Sequence, residues 1–269
     1  MLSKNQIKFI NSLKKKKFRI QNKLFLAEGI KVVQELLKSN FKVHKIYCTA
    51  AYPNKSLQEN IEIITENELK SISSFTNPNQ ILAVFEIPEE ESVKTSGFTL
   101  VLDEINDPGN LGTIIRLADW FGVDQIICSP NTVDCFNSKV VQSSMGSLAR
   151  ISIVYSELIP FLKEENRPIF GAFLEGEKVY QTALPEEAVL LVGNEANGIS
   201  KNIQSLITHK ITIPQFGEIK QTESLNVATA TAICGQFSYL SRERFRCGFD
   251  GPVVNFHPEL VGKKPVYTG

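Results

Sequence analysis

Three polar loops hold residue types that could do chemistry together. The first is Asp103-Glu104-Ile105-Asn106-Asp107-Pro108-Gly109-Asn110-Leu111-Gly112-Thr113-Ile114-Ile115-Arg116. It follows an apolar run and opens a helical pattern. Pro108-Gly109 reads as a turn and Asn110 as the N-cap. Gly112 permits close approach of another backbone or a ligand. A helix start followed by Arg116 suits a phosphate. The loop lacks both the dinucleotide-binding glycine spacing and the phosphate-loop lysine. The second loop is Val192-Gly193-Asn194-Glu195-Ala196-Asn197-Gly198-Ile199-Ser200, again between a strand and a helix. Gly193 and Gly198 free the backbone, Asn197-Gly198 reads as a tight turn, and Glu195 is a residue no turn requires. The third runs from Ile213-Pro214-Gln215-Phe216-Gly217 to Ser224-Leu225-Asn226-Val227-Ala228. Ser224 is a good N-cap, whereas Asn226 in a first helical turn is unexpected because Asn is a mediocre helix former. Taken singly, each loop also reads as an ordinary capped helix start. Arg116 would then pair with Asp119 at i+3, and Ser200 would cap its own helix.

The elements that must position these loops alternate. Apolar β-type runs fall at Thr99–Leu102, Gln125–Cys128, Arg150–Tyr155, Pro168–Phe173, Val189–Val192 and Lys210–Ile213, with helical patterns between several of them. One such helix spans Leu111–Phe121, with Gly122 just past its end. Near-continuous apolar strands alternating with helices predict a parallel α/β sheet covered on both faces. Ligands of such sheets bind in loops leaving the carboxyl ends of strands. A long last helix is expected over Leu225–Arg244. Upstream, Ser3 and Gln6 fit a capping box before Ile7, Ile10 and Leu13, and a helix is expected over about Glu28–Lys38. Strands are expected at Val43–Thr49, Ile61–Ile64 and Ile81–Ile87, with a helix start at Thr65 and Glu68. Glu89–Gly97 is the candidate linker. The organisation expected is a smaller α/β unit over 1–96, the parallel-sheet domain over 97–245 and an irregular tail over 246–269.

Bulk properties narrow the function. The 269 residues carry 29 basic and 29 acidic side chains, so net charge does not advertise a nucleic-acid partner. Its distribution is more informative. No acidic residue precedes Glu28, while Lys4, Lys8, Lys14, Lys15, Lys16, Lys17, Arg19 and Lys23 all fall there. Such a segment suits phosphate contacts or a solvated helix face. No apolar run approaches the ~18–20 residues of a membrane span, and the start lacks a secretory signal pattern, so a cytoplasmic protein is expected. The five cysteines, Cys48, Cys128, Cys135, Cys234 and Cys247, form no C-x-x-C pair and read as reduced thiols. His44, His209 and His257 lack ligand spacing, so no metal is expected.

Together and in this order, the three loops resemble the SpoU/TrmH family of RNA ribose 2′-O-methyltransferases in the SPOUT superfamily. Asn110, Gly112 and Arg116 match its N-x-G-x-x-x-R motif. Gly193, Asn194, Glu195, Gly198, Ile199 and Ser200 match the second motif. Ile213, Pro214, Ser224, Leu225, Asn226, Val227, Ala228 and Ala230 match the third. Ala196 and Gln215 depart from the usual Gly and Met, and Gly217–Ser224 is longer than usual. Phe25-Leu26-Ala27-Glu28-Gly29 resembles the ribosomal-protein-like substrate-binding domain fused to such enzymes.

The resemblance implies a C-terminal trefoil knot, a homodimer whose site draws on both subunits, and S-adenosylmethionine as cofactor with no metal. It implies Arg116, Asn110, Glu195, Ser224 and Asn226 as the catalytic set, and Phe173, Gly193, Ile213 and Leu225 as cofactor contacts. The implied substrate is structured RNA, ribosomal ahead of transfer RNA. The alternatives are a transfer-RNA methyltransferase and a non-catalytic RNA-binding assembly protein of the same fold.

Overall fold

A computed structural model describes residues 1–53, 60–182, 184–216 and 224–236. The amino-terminal unit contains α1 (Lys4–Ser12), α2 (Lys16–Asn22), β1 (Leu24–Glu28), α3 (Ile30–Leu37), β2 (Val43–Cys48), β3 (Ile61–Ile63), α4 (Glu66–Ile72) and β4 (Ile81–Glu86). Both expected capping boxes are present: Ser3 with Gln6, and Thr65 with Glu68. The four strands lie in the order β1-β4-β2-β3, with only β2 and β3 parallel.

Two elements here differ from expectation. The helix expected from Glu28 starts at Ile30, because Gly29 takes φ +89° and ends strand geometry before it. Leu24–Glu28 is strand β1, buried throughout and paired residue by residue with β4. Glu28 closes that strand. Its carboxylate accepts from the Ser73 hydroxyl and the Ser74 backbone N–H, tying down the turn after α4.

The second unit contains β5 (Phe98–Leu102), α5 (Pro108–Trp120), β6 (Gln125–Cys128), α6 (Ser138–Ser144), β7 (Ile153–Tyr155), α7 (Leu158–Glu164), β8 (Ile169–Phe173), β9 (Glu177–Lys178), β10 (Ala188–Val192), α8 (Lys201–Gln204), β11 (His209–Thr212) and α9, described over 227–236. The strand expected from Arg150 begins only at Ile153, since Ser147–Ala149 forms a 3-10 turn. The remainder of the last expected helix, the tail, Cys247, His257 and the stretch 217–223 lie outside the described residues.

All seven strands are parallel, in the order β7-β6-β5-β10-β8-β11-β9. Strands β5, β6 and β7 wind outward one way, and β8, β10 and β11 fill the other side. The winding reverses between β5 and β10, which is where open α/β sheets make their ligand crevice. Side chains alternate between two cores. Leu100, Leu102, Ile126, Leu190 and Val192 face α5, α6 and α9. Val101, Ile127, Val189 and Leu191 face α7 and α8. Burial on both faces is why these strands read as unbroken apolar runs.

The expected linker is not a free tether. Lys94 donates its N–H to Gln125 Oε1 and its ammonium to the Asp124 carbonyl, while Gln125 returns a bond to the Lys94 carbonyl. One apolar core then continues across the seam between the two sheets, joining Phe25, Val33 and Phe85 to Ile114, Val140 and Val141. Phe25 packs against Phe136 with ring centroids 4.8 Å apart. Beside it Arg19, only 2% exposed, is a buried cation and not part of a solvated basic face. Its guanidinium donates to Asp134 Oδ2 through Nε at 2.9 Å and also through Nη2, and its Nη1 donates to the Leu13 and Lys14 carbonyls.

Removing one partner of a buried, hydrogen-bonded pair leaves the other charge stranded. Asp134→Ala is therefore expected to cost about 3 kcal/mol or more of stability, read as a lowered urea midpoint. The loss should be smaller when Arg19 is replaced by Met in the same chain.

Candidate active site

Helix α5 starts one turn earlier than its sequence suggests. Pro108 occupies the first helical position, where its missing N–H costs nothing. The cap is therefore Asp107, whose Oδ1 accepts from the Asn110 N–H at 2.8 Å, and not Asn110. Being inside the first turn frees the Asn110 side chain for other partners. Gly112 lets α6 approach: a Cβ there would lie 2.3 Å from Ser143 Cβ and 2.9 Å from the Val140 carbonyl oxygen.

The loops after β5 and β10 are bound to each other at the reversal point. Asp103 donates its N–H to the Val192 carbonyl, and its buried carboxylate accepts from the Ser200 N–H at 2.7 Å. The Ser200 side chain makes no capping bond to α8; its backbone N–H to Asp103 fixes that position instead. Asn194 Nδ2 donates to the Glu104 carbonyl, and Asn194 Oδ1 accepts from the N–H groups of Ala196 and Asn197. Paired backbone bonds between Asn194 and Gly198 then fold the loop into a narrow hairpin. Gly198 adopts φ +67°, as expected for the turn. A Cβ on Gly193 would meet the Gly198 carbonyl carbon at 2.2 Å, so the hairpin admits only glycine there. Asp103 and Asn194 were visible in the sequence as loop residues, but nothing in their spacing disclosed these bonds.

Three of the five expected catalytic residues converge. Asn110 Nδ2 donates to Glu195 Oε1 at 2.7 Å, and Asn226 Nδ2 donates to Asn110 Oδ1 at 2.9 Å. Asn226, not Ser224, caps the last helix: its Oδ1 accepts from the N–H groups of Ala228 and Thr229. That capping role explains an Asn where a helix former was expected. Ser224 is exposed and makes no hydrogen bond among the described residues.

Arg116 is not drawn into this set. It lies six residues beyond Asn110 on α5, about 120° away around the axis. It is exposed, on one outward stripe with Thr113 and Trp120. The i+3 pairing with Asp119 does not form, because Asp119 instead accepts from Arg150. Among the described residues Arg116 has no ion-pair or hydrogen-bond partner.

The expected cofactor contacts sit at neighbouring strand ends. Two residues beyond the paired Leu191 and Gly171 come Gly193 and Phe173, while Ile213 directly follows Thr212, which is paired with Phe173. Leu225 precedes Asn226 and is 48% exposed, and Phe216 is 83% exposed. The Lys210 ammonium sits 5.0 Å from the centroid of the Phe173 ring, occupying one of its faces. Exposed apolar side chains beside a polar, hydrogen-bonded set suit a ligand with a flat apolar part and a polar part. A cleft of about 700 Å³ opens at the amino ends of β5, β8 and β10, lined by Arg167, Glu164, Glu187 and their neighbours. It shares no residue with the three loops, and its two buried charges, Arg167 and Glu165, are committed to each other.

Other chemistries find no support among the described residues. The four described cysteines are buried, and burial pushes the Cys135 and Cys234 thiols up to about 12 and raises the Cys128 thiol as well, so those three are not thiolates at neutral pH. No group of three metal-ligating side chains occurs among them. No helix there is long and apolar enough to cross a membrane.

This geometry coincides with a known one. The family described as SpoU rRNA Methylase matches residues 97–236, all three loops included. The chain belongs to the SpoU rRNA methylase family. A second profile, that of an MRM3-like substrate binding domain, matches residues 4–83. The chain is 35% identical over 239 residues to the 23S rRNA (guanosine(2553)-2′-O)-methyltransferase RlmP of Bacillus subtilis, covering 86% of this chain and 95% of that protein. A solved TrmH-family structure from Porphyromonas gingivalis superposes with a TM-score of 0.80 at 38% identity, covering 91% of this chain and 99% of that one. The AdoMet-bound rRNA methyltransferase from Sinorhizobium meliloti gives 0.77 at 28% identity, covering 88% and 95%.

The cofactor that this family implies is S-adenosylmethionine, and the tight backbone packing at Gly193 makes it the position at which to test cofactor binding. Gly193→Ala is expected to weaken S-adenosylmethionine binding roughly tenfold or more, about 1.4 kcal/mol, by isothermal titration. The clash is with backbone, which cannot swing aside, so the hairpin itself must give way and the melting temperature should fall together with cofactor affinity.

Proposed function

We propose that this protein transfers a methyl group from S-adenosylmethionine to a ribose 2′-hydroxyl of ribosomal RNA. Residues 97–245 form the catalytic domain, residues 1–96 the RNA-reading domain, and the protein works in the cytoplasm. The observation that carries the reading is the bridge Asn226–Asn110–Glu195, which joins all three family motifs into one polar set beside an apolar lip. The Bacillus subtilis relative, named as a 23S rRNA 2′-O-methyltransferase, favours ribosomal over transfer RNA.

S-adenosylmethionine supplies a methyl group on a sulfonium sulfur, a reactive donor. The residues of this chain must align the acceptor and take charge of its proton. Asn110 fixes the three loops against one another and holds the Glu195 carboxylate, which orients the ribose. A free arginine stays charged at working pH and is a poor base. Arg116 instead grips the RNA phosphate beside the target ribose and orients the hydroxyl, and that phosphate, or an Arg116 perturbed by Ser224, accepts the proton. Phe173, Gly193, Ile213 and Leu225 hold the cofactor, and Ser224 lies at the edge of the same loop. The knotted C-terminal crossing of the family is part of this reading.

The position of Arg116 calls for a second subunit. Its stripe carries Trp120, which is 83% exposed, and a large exposed aromatic on a helix face suits an interface. We infer a homodimer in which Arg116 of one protomer completes the Asn110–Glu195–Asn226 set of its partner.

Arg116→Ala is expected to bind S-adenosylmethionine within about twofold of wild type while losing on the order of 100-fold or more in methyl transfer. The measurement is label transfer from methyl-labelled cofactor to RNA from cells lacking the enzyme; wild-type transfer by the variant would remove Arg116 from the site. A mixture of Arg116→Ala and Glu195→Ala protomers, denatured and refolded together, should recover roughly a quarter of wild-type activity, the statistical share of intact composite sites in a two-fold dimer. No recovery would place both residues in one protomer's site.

A further inference from the structure

The cluster of lysines near the amino terminus divides sharply once Arg19 is taken into the core. Lys14 is half-buried and donates to the Ser73 carbonyl. Lys15, Lys16 and Lys17, at the start of α2, remain exposed. Their location is fixed by two contacts. Arg19 on the same helix pairs with Asp134 in the loop between β6 and α6. Lys16 Nζ stands 6.0 Å from the centroid of the Tyr155 ring, at the carboxyl end of β7. The Tyr155 hydroxyl is itself held in the β6–α6 loop, donating to the Val133 carbonyl and accepting from the Cys135 N–H. These lysines therefore sit on the carboxyl rim of the parallel sheet, the same rim that carries the three loops.

Between them and the site lies one more cation. Lys139, in the first turn of α6, is 65% exposed, with its ammonium 3.8 Å from Asp107 Oδ2. Asp107 is the cap of α5, and its carboxylate receives the Asn110 N–H. A contiguous run of contacts thus leads from α2 through Asp134 and Lys139 to Asn110. The acidic residues on that run are already engaged, Asp134 by Arg19 and Asp107 by Lys139. Lys15, Lys16, Lys17 and Lys139 face solvent along the run, beside the half-exposed Asp107 carboxylate that Lys139 offsets.

We propose that Lys15, Lys16, Lys17 and Lys139 form a phosphate track that carries the substrate RNA strand from the amino-terminal domain to the Asn110 site. The inference rests on the methyltransferase reading above and adds to it the route of the RNA. Ammonium groups on flexible stems bind phosphate as point charges without reading sequence. The track therefore sets register and affinity, and base reading lies elsewhere.

The test is filter binding of a protein-free 23S rRNA transcript by the full-length protein over a salt series, with methyl transfer measured on the same transcript. The triple variant Lys16→Gln, Lys17→Gln, Lys139→Gln should bind on the order of tenfold or more weaker. Its log–log salt slope should be shallower by about 2, at ~0.7 per single-strand phosphate contact. KM for RNA should rise with kcat largely kept, and cofactor affinity and melting temperature should stay at wild-type values. The matching Lys→Arg triple should restore binding. Lys163→Gln on α7, across the sheet, should change nothing. Equal binding and salt slope in the triple variant and wild type would overturn the track and leave the methyl-transfer reading standing. Lysine-dependent binding without methyl transfer by wild type would overturn that reading and leave the track. A wild-type protein that binds no transcript would overturn both.

Discussion

The side-chain amide of Asn110 uses both of its ends. Its nitrogen holds Glu195 from the loop after β10, and its oxygen is held by Asn226 at the start of the last helix. Those partners are 85 and 116 residues away in sequence. A single amide therefore sets the mutual geometry of three segments that the chain itself leaves independent. The arrangement depends on what lies beneath it. Pro108 starts α5 one turn early, Asp107 takes the cap, and Asn110 is released to bridge. Asp103 and Asn194 lock the two strand ends at the point where the sheet reverses its winding. Polar groups on rigid strand ends, braced by a second layer of hydrogen bonds, hold a site more closely than a free loop does.

The amino-terminal unit is part of the same structure in an energetic sense. Its sheet shares one apolar core with α5 and α6, and its only described buried arginine is paired across the seam. Two sheets joined by a flexible linker would have to find a common RNA independently. A shared core instead presets the distance between reader and site, so binding energy gained on one side is delivered at the other without a further ordering cost. The amino-terminal unit thus has a sheet and a second core of its own, around Leu13, Leu26, Tyr47 and Leu82, yet removing it would also uncover Phe136 and Val141.

The parallel sheet was legible in the sequence because burial on both faces writes strands as apolar runs, and β6 falls where its run predicts, at Gln125–Cys128. The family motifs placed Asn110, Glu195 and Asn226, and the structure brings those three together. What escaped the sequence was decided by tertiary partners. α2 has no apolar stripe of its own, and its Arg19 finds its partner 115 residues later. β1 sits between a lysine-rich helix and Gly29 and becomes a strand only because β4 is there to pair with it. Asp107 and Asn110 are both good caps, and Pro108 between them decides which is used. Asp119 had two arginines within reach, and Arg150 offers a geometry to which Glu35 also contributes.

The Arg19–Asp134 pair also bears on how the chain comes into being. At ~5–20 residues per second, a ribosome has emitted Arg19 on the order of 10 s before Asp134 exists. Throughout that interval Phe25 has Phe41 and Phe85 but lacks Phe136, and the guanidinium beside it has the Leu13 and Lys14 carbonyls but no counter-charge. The amino-terminal sheet is thus born with an open apolar side and a charge awaiting burial, a state that invites chaperone attention or mispairing with a neighbouring nascent chain. Once the β6–α6 loop arrives, both are sealed in one step. An enzyme that modifies ribosomal RNA is in this respect a demanding customer of the machine it helps to build.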